Sequence, residues 1–166
     1  MFNPFRHLML LAGWFSPVFA EINIELRATV VNVGCTLLSD DSNKTVDLGR
    51  WPASQLRMAG STTPAVPFSL RLKGCPPGSV SVTFSGKSAG GTTYLALSDS
   101  AMAQDVAIQL RQGDRSPLAL ETASKAITVD GSGNTLLQFY ANFIALADNP
   151  SPGIAKSDAT FTINYY

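Results

Sequence analysis

Charge is scarce in this 166-residue chain: 14% of its residues are charged, with twelve Lys and Arg set against twelve Asp and Glu. An ordinary soluble domain carries roughly 25%. At zero formal charge and with no Lys/Arg cluster, the chain lacks the phosphate-neutralising surface that nucleic acid requires, so no nucleic-acid partner is expected. Histidine is scarcer still, His7 being the only one. Cysteine is limited to Cys35 and Cys75, too far apart for the CxxC spacing of a redox or metal pair. Beyond residue 20 no run is long and apolar enough to span a bilayer, which takes about 20 residues, so the chain is not expected to be membrane-embedded. What is plentiful is apolar material: 45% of the residues are hydrophobic, enough for one core and too many for a disordered chain.

Residues 1–20 place Arg6 and His7 near the start, an apolar stretch over 8–15, and Val18 and Ala20 at a small-residue exit. This is the n-region, h-region and cleavage-site order of a secretory signal, and Pro17 interrupts the run too early for a membrane helix. Cleavage after Ala20 is expected, leaving 21–166 with eleven basic and twelve acidic residues, a net charge of −1 and no imidazole. Without histidine, the Ser-His-Asp and Cys-His routes to an activated nucleophile are closed, as are His-ligated zinc sites. No catalytic residue, metal or cofactor is expected. Both cysteines survive cleavage into an oxidising compartment, where a disulfide is the expected outcome. Closing a loop of about 40 residues contributes about 4 kcal/mol in the chain-entropy account.

Period-two alternation dominates the mature chain and predicts strands at 22–30, 66–72, 80–84, 106–110 and 159–165, with a first core strand around 29–38. Gly/Pro clusters at 74–78 and 86–91 and turns at 113–114 and 130–134 separate them. Short strands at this spacing suggest an antiparallel sandwich of immunoglobulin type. One run, 136–146, is apolar on both faces and needs a cover on each side. Residues 21–33 contain neither Pro nor Gly. Two readings of 22–28 therefore stay open: part of a long first strand in the chain's own core, or a strand meant for another molecule.

These residues resemble the pilins of the chaperone-usher pathway, and most closely the minor adaptor subunits of type 1 fimbriae. The resemblance spans the mature chain. It rests on the signal, the alternating extension before Cys35, the run Thr45-Val46-Asp47-Leu48-Gly49, the block over 60–68 leading to Cys75, and Gly153 fourteen residues from the end with Phe161, Ile163 and penultimate Tyr165. It implies an all-β fold, an incomplete immunoglobulin-like sandwich lacking its last strand, with signal peptide 1–20, donor-strand extension 21–32 and pilin domain 33–166. The gap would lie beside the 136–146 strand, whose Leu137, Phe139, Ala141 and Phe143 would line the acceptor groove. Ile22, Ile24, Leu26, Ala28 and Val30 match the donor positions, with Ala28 standing where the family usually carries Gly. Gly153, Phe161, Ile163 and Tyr165 match the strand gripped by a periplasmic pilus chaperone. The implied partners are that chaperone, an outer-membrane usher and neighbouring fimbrial subunits. The implied destination is the cell-surface fimbrium, where the subunit supports adhesion.

Two other classes compete. Asp40, Asp41, Asp47 and Asp105 could form a two-carboxylate site, but 38–44 reads as a solvated turn. A single-domain carbohydrate-binding fimbrial adhesin is the other, with Trp51 and Tyr94 as ligand contacts. Single aromatics more often pack, and a tip adhesin of this family carries an additional receptor-binding domain for which 146 residues leave no room.

Overall fold

The structure, a computed structural model, describes residues 23–29, 34–99 and 103–166. The expected signal peptide, the donor positions Ile22 and Val30 and the expected boundary at 32/33 lie outside the described residues. Among the described residues ten strands follow one another: β1 Asn23–Thr29, β2 Thr36–Leu37, β3 Asn43–Asp47, β4 Val66–Lys73, β5 Ser79–Ser85, β6 Val106–Arg111, β7 Pro117–Leu118, β8 Ile127–Thr128, β9 Thr135–Ala145 and β10 Ser157–Tyr165. One helical turn, α1 (Ser39–Ser42), and a 3-10 turn at Ala53–Leu56 interrupt them.

The strands form two five-stranded sheets, ordered β3-β1-β10-β5-β8 and β2-β4-β9-β6-β7. Alternation dictates which side chains meet between them. On β4, Phe68, Leu70 and Leu72 turn inward; on β5, Val80, Val82 and Phe84; on β10, Ala159, Phe161 and Ile163; and on β9, Leu137, Phe139, Ala141 and Phe143. Four phenylalanines form the centre: the Phe84 ring lies 5.0 Å from Phe139 and 6.0 Å from Phe68, both edge-on, and 6.1 Å from Phe161. Cys35 and Cys75 form the expected disulfide.

Three expectations are corrected. The 136–146 strand does not border a gap, because β9 sits in the middle of the second sheet between β4 and β6. At its Ile144 end the second face is covered instead by the chain around 89–96, where Ile144 and Ala107 pack with Ala89, Tyr94 and Ala96, while Leu136 stays exposed. The first core strand expected around 29–38 is reduced, among the described residues, to the two residues of β2. β1 belongs to one sheet and β2 to the other, so the two are not one continuous strand.

The third correction concerns Asp41, which is fully buried rather than part of a solvated turn. Its carboxylate accepts hydrogen bonds from the Arg71 backbone N–H and Nε at 2.9 Å each, and from Lys44 Nζ at 2.5 Å. Lys44 also donates to the Ser69 carbonyl. Burial works against the Asp41 charge, but the bonds from Arg71 and Lys44 outweigh it and hold the carboxyl down at about 2. Asp41 thereby pins α1 and β3 to β4.

Candidate functional site

The N-terminal strand occupies the slot between β3 and β10. It pairs antiparallel with β3, Ile24 opposite Val46 and Leu26 opposite Lys44. Along its other edge it runs parallel to β10, with Ile24 opposite Ser157, Leu26 opposite Ala159 and Ala28 opposite Phe161. Period two turns Ile24 and Leu26 into the core at 1% and 0% exposure. Glu25 and Arg27 face outward and form an ion pair at 3.1 Å. Burying two large aliphatics contributes about 4 kcal/mol, an upper figure before ordering costs.

The slot is one strand wide. Without β1, both β3 and β10 would present unpaired N–H and C=O groups along the edges that now meet it, and the sheet would divide in two. The floor of the slot is the shared core, in which Ile24 and Leu26 join Leu137, Phe139, Ala141 and Phe143 of β9 in one contiguous apolar cluster. These four thus lie across the sandwich from β1 rather than beside it. Val46 and Leu48, both buried, were not among the expected groove residues. Their alternation in Thr45-Val46-Asp47-Leu48 was the available signal.

The C-terminal residues form the opposite bank. Phe161 and Ile163 point inward, and β10 is paired on its far side with β5, Phe161 opposite Phe84 and Tyr165 opposite Val80. Tyr165 is half-buried, and its hydroxyl donates to the Pro76 and Pro77 carbonyls at 2.8 and 2.6 Å. Beyond it, Ser79 and Tyr166 exchange backbone hydrogen bonds at 3.0 and 2.8 Å. Gly153 lies apart from this bank, lining a cavity of about 130 Å³ with Trp51, Leu56, Val106, Phe143 and Pro152. A side chain at Gly78 cannot fit beneath the C-terminal residues, because its Cβ would lie 2.4 Å from the Tyr166 carbonyl oxygen and 2.5 Å from the Tyr165 hydroxyl. Gly78→Ala is expected to cost about 1–3 kcal/mol by overpacking. A thermal melt measures the loss, and faster carboxypeptidase release of Tyr166 locates it at this end of β10.

The competing site residues do not converge on a chemistry. Asp40 is exposed, with Arg71 4.0 Å away, whereas Asp41 is saturated by its own partners. The Asp47 carboxylate accepts the Gly49 N–H, and Asp105 is a loop residue with φ of 58°. Among the described residues no group of three or more His, Cys, Asp or Glu could hold a metal ion. The Trp51 indole N–H donates to the Leu48 carbonyl at 2.6 Å. Tyr94 packs over Ala89 and Ile144.

A family model described as fimbrial protein matches residues 24–166. The chain belongs to the fimbrial protein family. The fimbrial-like protein FimF of Salmonella typhimurium is 56% identical to it over 91% of both chains. Among solved structures, the P pilus rod subunit PapA shares 18% identity at a TM-score of 0.68, covering 81% of this chain and all of that one. A chain in the structure of a chaperone-usher pilus also shares 18% identity at a TM-score of 0.68, covering 96% and 100%. At that identity the two structures speak for the fold, an immunoglobulin-like all-β sandwich. The family speaks for the role: the chain is a structural subunit of a fimbria. Among the described residues of this fimbrial subunit no helix is long and apolar enough to cross a membrane.

Proposed function

We propose that this fimbrial subunit polymerises by donor-strand exchange. In this reading 1–20 is a signal peptide, and 21–32 is the extension that a neighbouring subunit receives through Ile22, Ile24, Leu26, Ala28 and Val30. A periplasmic chaperone first holds the bank formed by Phe161, Ile163 and Tyr165, and an outer-membrane usher hosts the exchange. The subunit then stands in the surface fimbrium as a minor or tip-proximal adaptor.

The observation that carries this reading is that the slot between β3 and β10 is one strand wide and is completed by the N-terminal strand β1. Main-chain pairing would supply affinity, and the inward pockets that now take Ile24 and Leu26 would supply specificity. The relatives support the same direction, since one matched structure is of a chaperone-usher pilus.

Periplasmic co-expression with a pilus chaperone tests the reading. A one-to-one complex is expected on size exclusion, and deletion of 21–30 is expected to leave that complex intact while abolishing attachment to the preceding subunit. Undiminished polymerisation by the truncated chain would overturn the donor assignment.

A further inference from the structure

The outer face of the second sheet carries a group of side chains that strand exchange does not use. Pairing aligns Pro67 of β4, Tyr140 of β9, Arg111 of β6 and Pro117 of β7 in one row across four strands. Flanking rows set Ser69 beside Gln138 on one side and Gln109 beside Asn142 on the other. Period two turns these residues away from the core between the sheets.

Arg111 is held in place from beneath. Asn142, fully buried, donates its amide N–H groups to the Phe143 carbonyl at 3.0 Å and to Gln109 Oε1 at 3.3 Å, which leaves its Oδ1 to accept Arg111 Nε at 2.8 Å. Arg111 Nη1 also donates to the Arg115 carbonyl at 3.0 Å. Two anchors on one planar fork fix its orientation. Arg115 brings a second guanidinium to the same row, 5.0 Å from the centre of the Tyr140 ring, a cation–π contact. It does so from a backbone φ of 66°, a left-handed conformation that glycine adopts without steric cost. The turn by itself favours glycine at 115, and what arginine adds there is the guanidinium.

Neither cation is neutralised by the chain. Among the described residues the ion pairs join Arg27 to Glu25, Lys44 and Arg71 to Asp41, Arg71 to Asp40, and Lys125 to Asp114, and none includes Arg111 or Arg115. Asp114, the acid of the same turn, is held by Lys125 and Ser116. Two like charges fixed at one tyrosine repel each other, and a bound oxyanion relieves that repulsion while accepting both sets of donors.

We propose that Arg111, Arg115 and Tyr140 form a binding site for a carboxylated saccharide, the carboxylate held by the two guanidinia and the sugar lying along the row. The surroundings favour a sugar over a protein partner. A protein interface centres on buried aromatic and apolar anchors, whereas this pair is flanked by the exposed Gln138 amide, the Ser69 hydroxyl and two exposed proline rings, groups that suit sugar hydroxyls and C–H faces. From Pro67 to Arg111 the row spans about 10 Å at the usual strand spacing, room for a short saccharide. The site lies on the sheet that lacks β1, so it stands apart from strand exchange.

The test titrates the mature chain, its disulfide intact, with a tetrasaccharide of alternating glucuronate and N-acetylglucosamine in a calorimeter. Saturable one-to-one binding is expected, weakened roughly 10-fold or more by Arg111→Gln and by Arg111→Lys, which keeps the charge but not the fork. Lys73→Gln removes an equal charge from the same face, six residues along β4 from Pro67, or about 20 Å. At physiological ionic strength it is expected to change the affinity less than about 2-fold, because the screening length there is about 8 Å.

Arg115→Gly suits the turn and therefore separates binding from folding: it is expected to melt no lower than the parent chain and still to lose affinity. Unchanged binding by Arg115→Gly, or an equal loss in Lys73→Gln and Arg111→Gln, overturns the proposal. So does tetraglutamate binding as tightly as the tetrasaccharide, which would mark a site for acidic peptide, and so does the absence of saturable binding.

Discussion

Phe84→Ala is expected to lower the unfolding free energy by about 3–5 kcal/mol, read as a reduced denaturant midpoint at unchanged slope. Phe84 is fully buried and touches three other rings, on β4, β9 and β10. Truncation removes the transfer energy of the ring and leaves a cavity between two sheets that are pinned elsewhere and cannot collapse onto it. Two of the lost contacts are edge-on, and each such pair adds about 0.5–1.5 kcal/mol beyond area. Because Phe161 is one of the three neighbours, the same variant should loosen β10 and raise amide exchange along it. A loss below 1 kcal/mol would mean that the four rings are not the mechanical centre of the domain.

Asp41→Ala is expected to cost about 3 kcal/mol. The carboxylate is buried while Lys44 retains 21% and Arg71 45% side-chain exposure, so removal strands one partly buried ammonium and an unpaired Arg71 N–H. Acid reads the same interaction. The folded carboxyl titrates at about 2, below its ordinary value of 3.8, so near pH 3 the unfolded chain binds more protons than the folded one. The stabilisation is complete above about pH 4 and drains away as pH falls through 2, amounting to about 2 kcal/mol. Wild-type melts between pH 5 and 2 should show this acid limb, and Asp41→Asn should flatten it. An identical limb in both proteins would assign acid sensitivity to other carboxylates.

Strand identity was largely legible because period two survives wherever one face is wet. The alternations at 66–72, 80–84, 106–110 and 159–165 correspond to β4, β5, β6 and β10. The place of β9 was misjudged for a physical reason. A strand apolar on both faces can border an empty slot or lie beneath a loop, and the covering loop over 86–98 is rich in Gly, Ser and Thr, a composition that also suits open solvent. The burial of Asp41 was illegible because its principal partner, Arg71, lies 30 residues away. The polarity of β1 was illegible as well. Alternation reads the same in both directions, whereas the pairing of β1 with β10 is parallel.

The slot between β3 and β10 has a consequence in terms of valence. In the proposed strand exchange each copy gives one strand and takes one strand into its slot. Contacts made this way are head-to-tail, and head-to-tail contacts either close into rings or run on as open filaments. A chain that fills its own slot is the smallest closed case, a ring of one. In the proposed exchange, opening that ring would leave a growing line with two chemically unlike ends, one offering a strand and the other a slot, and with no branch between them.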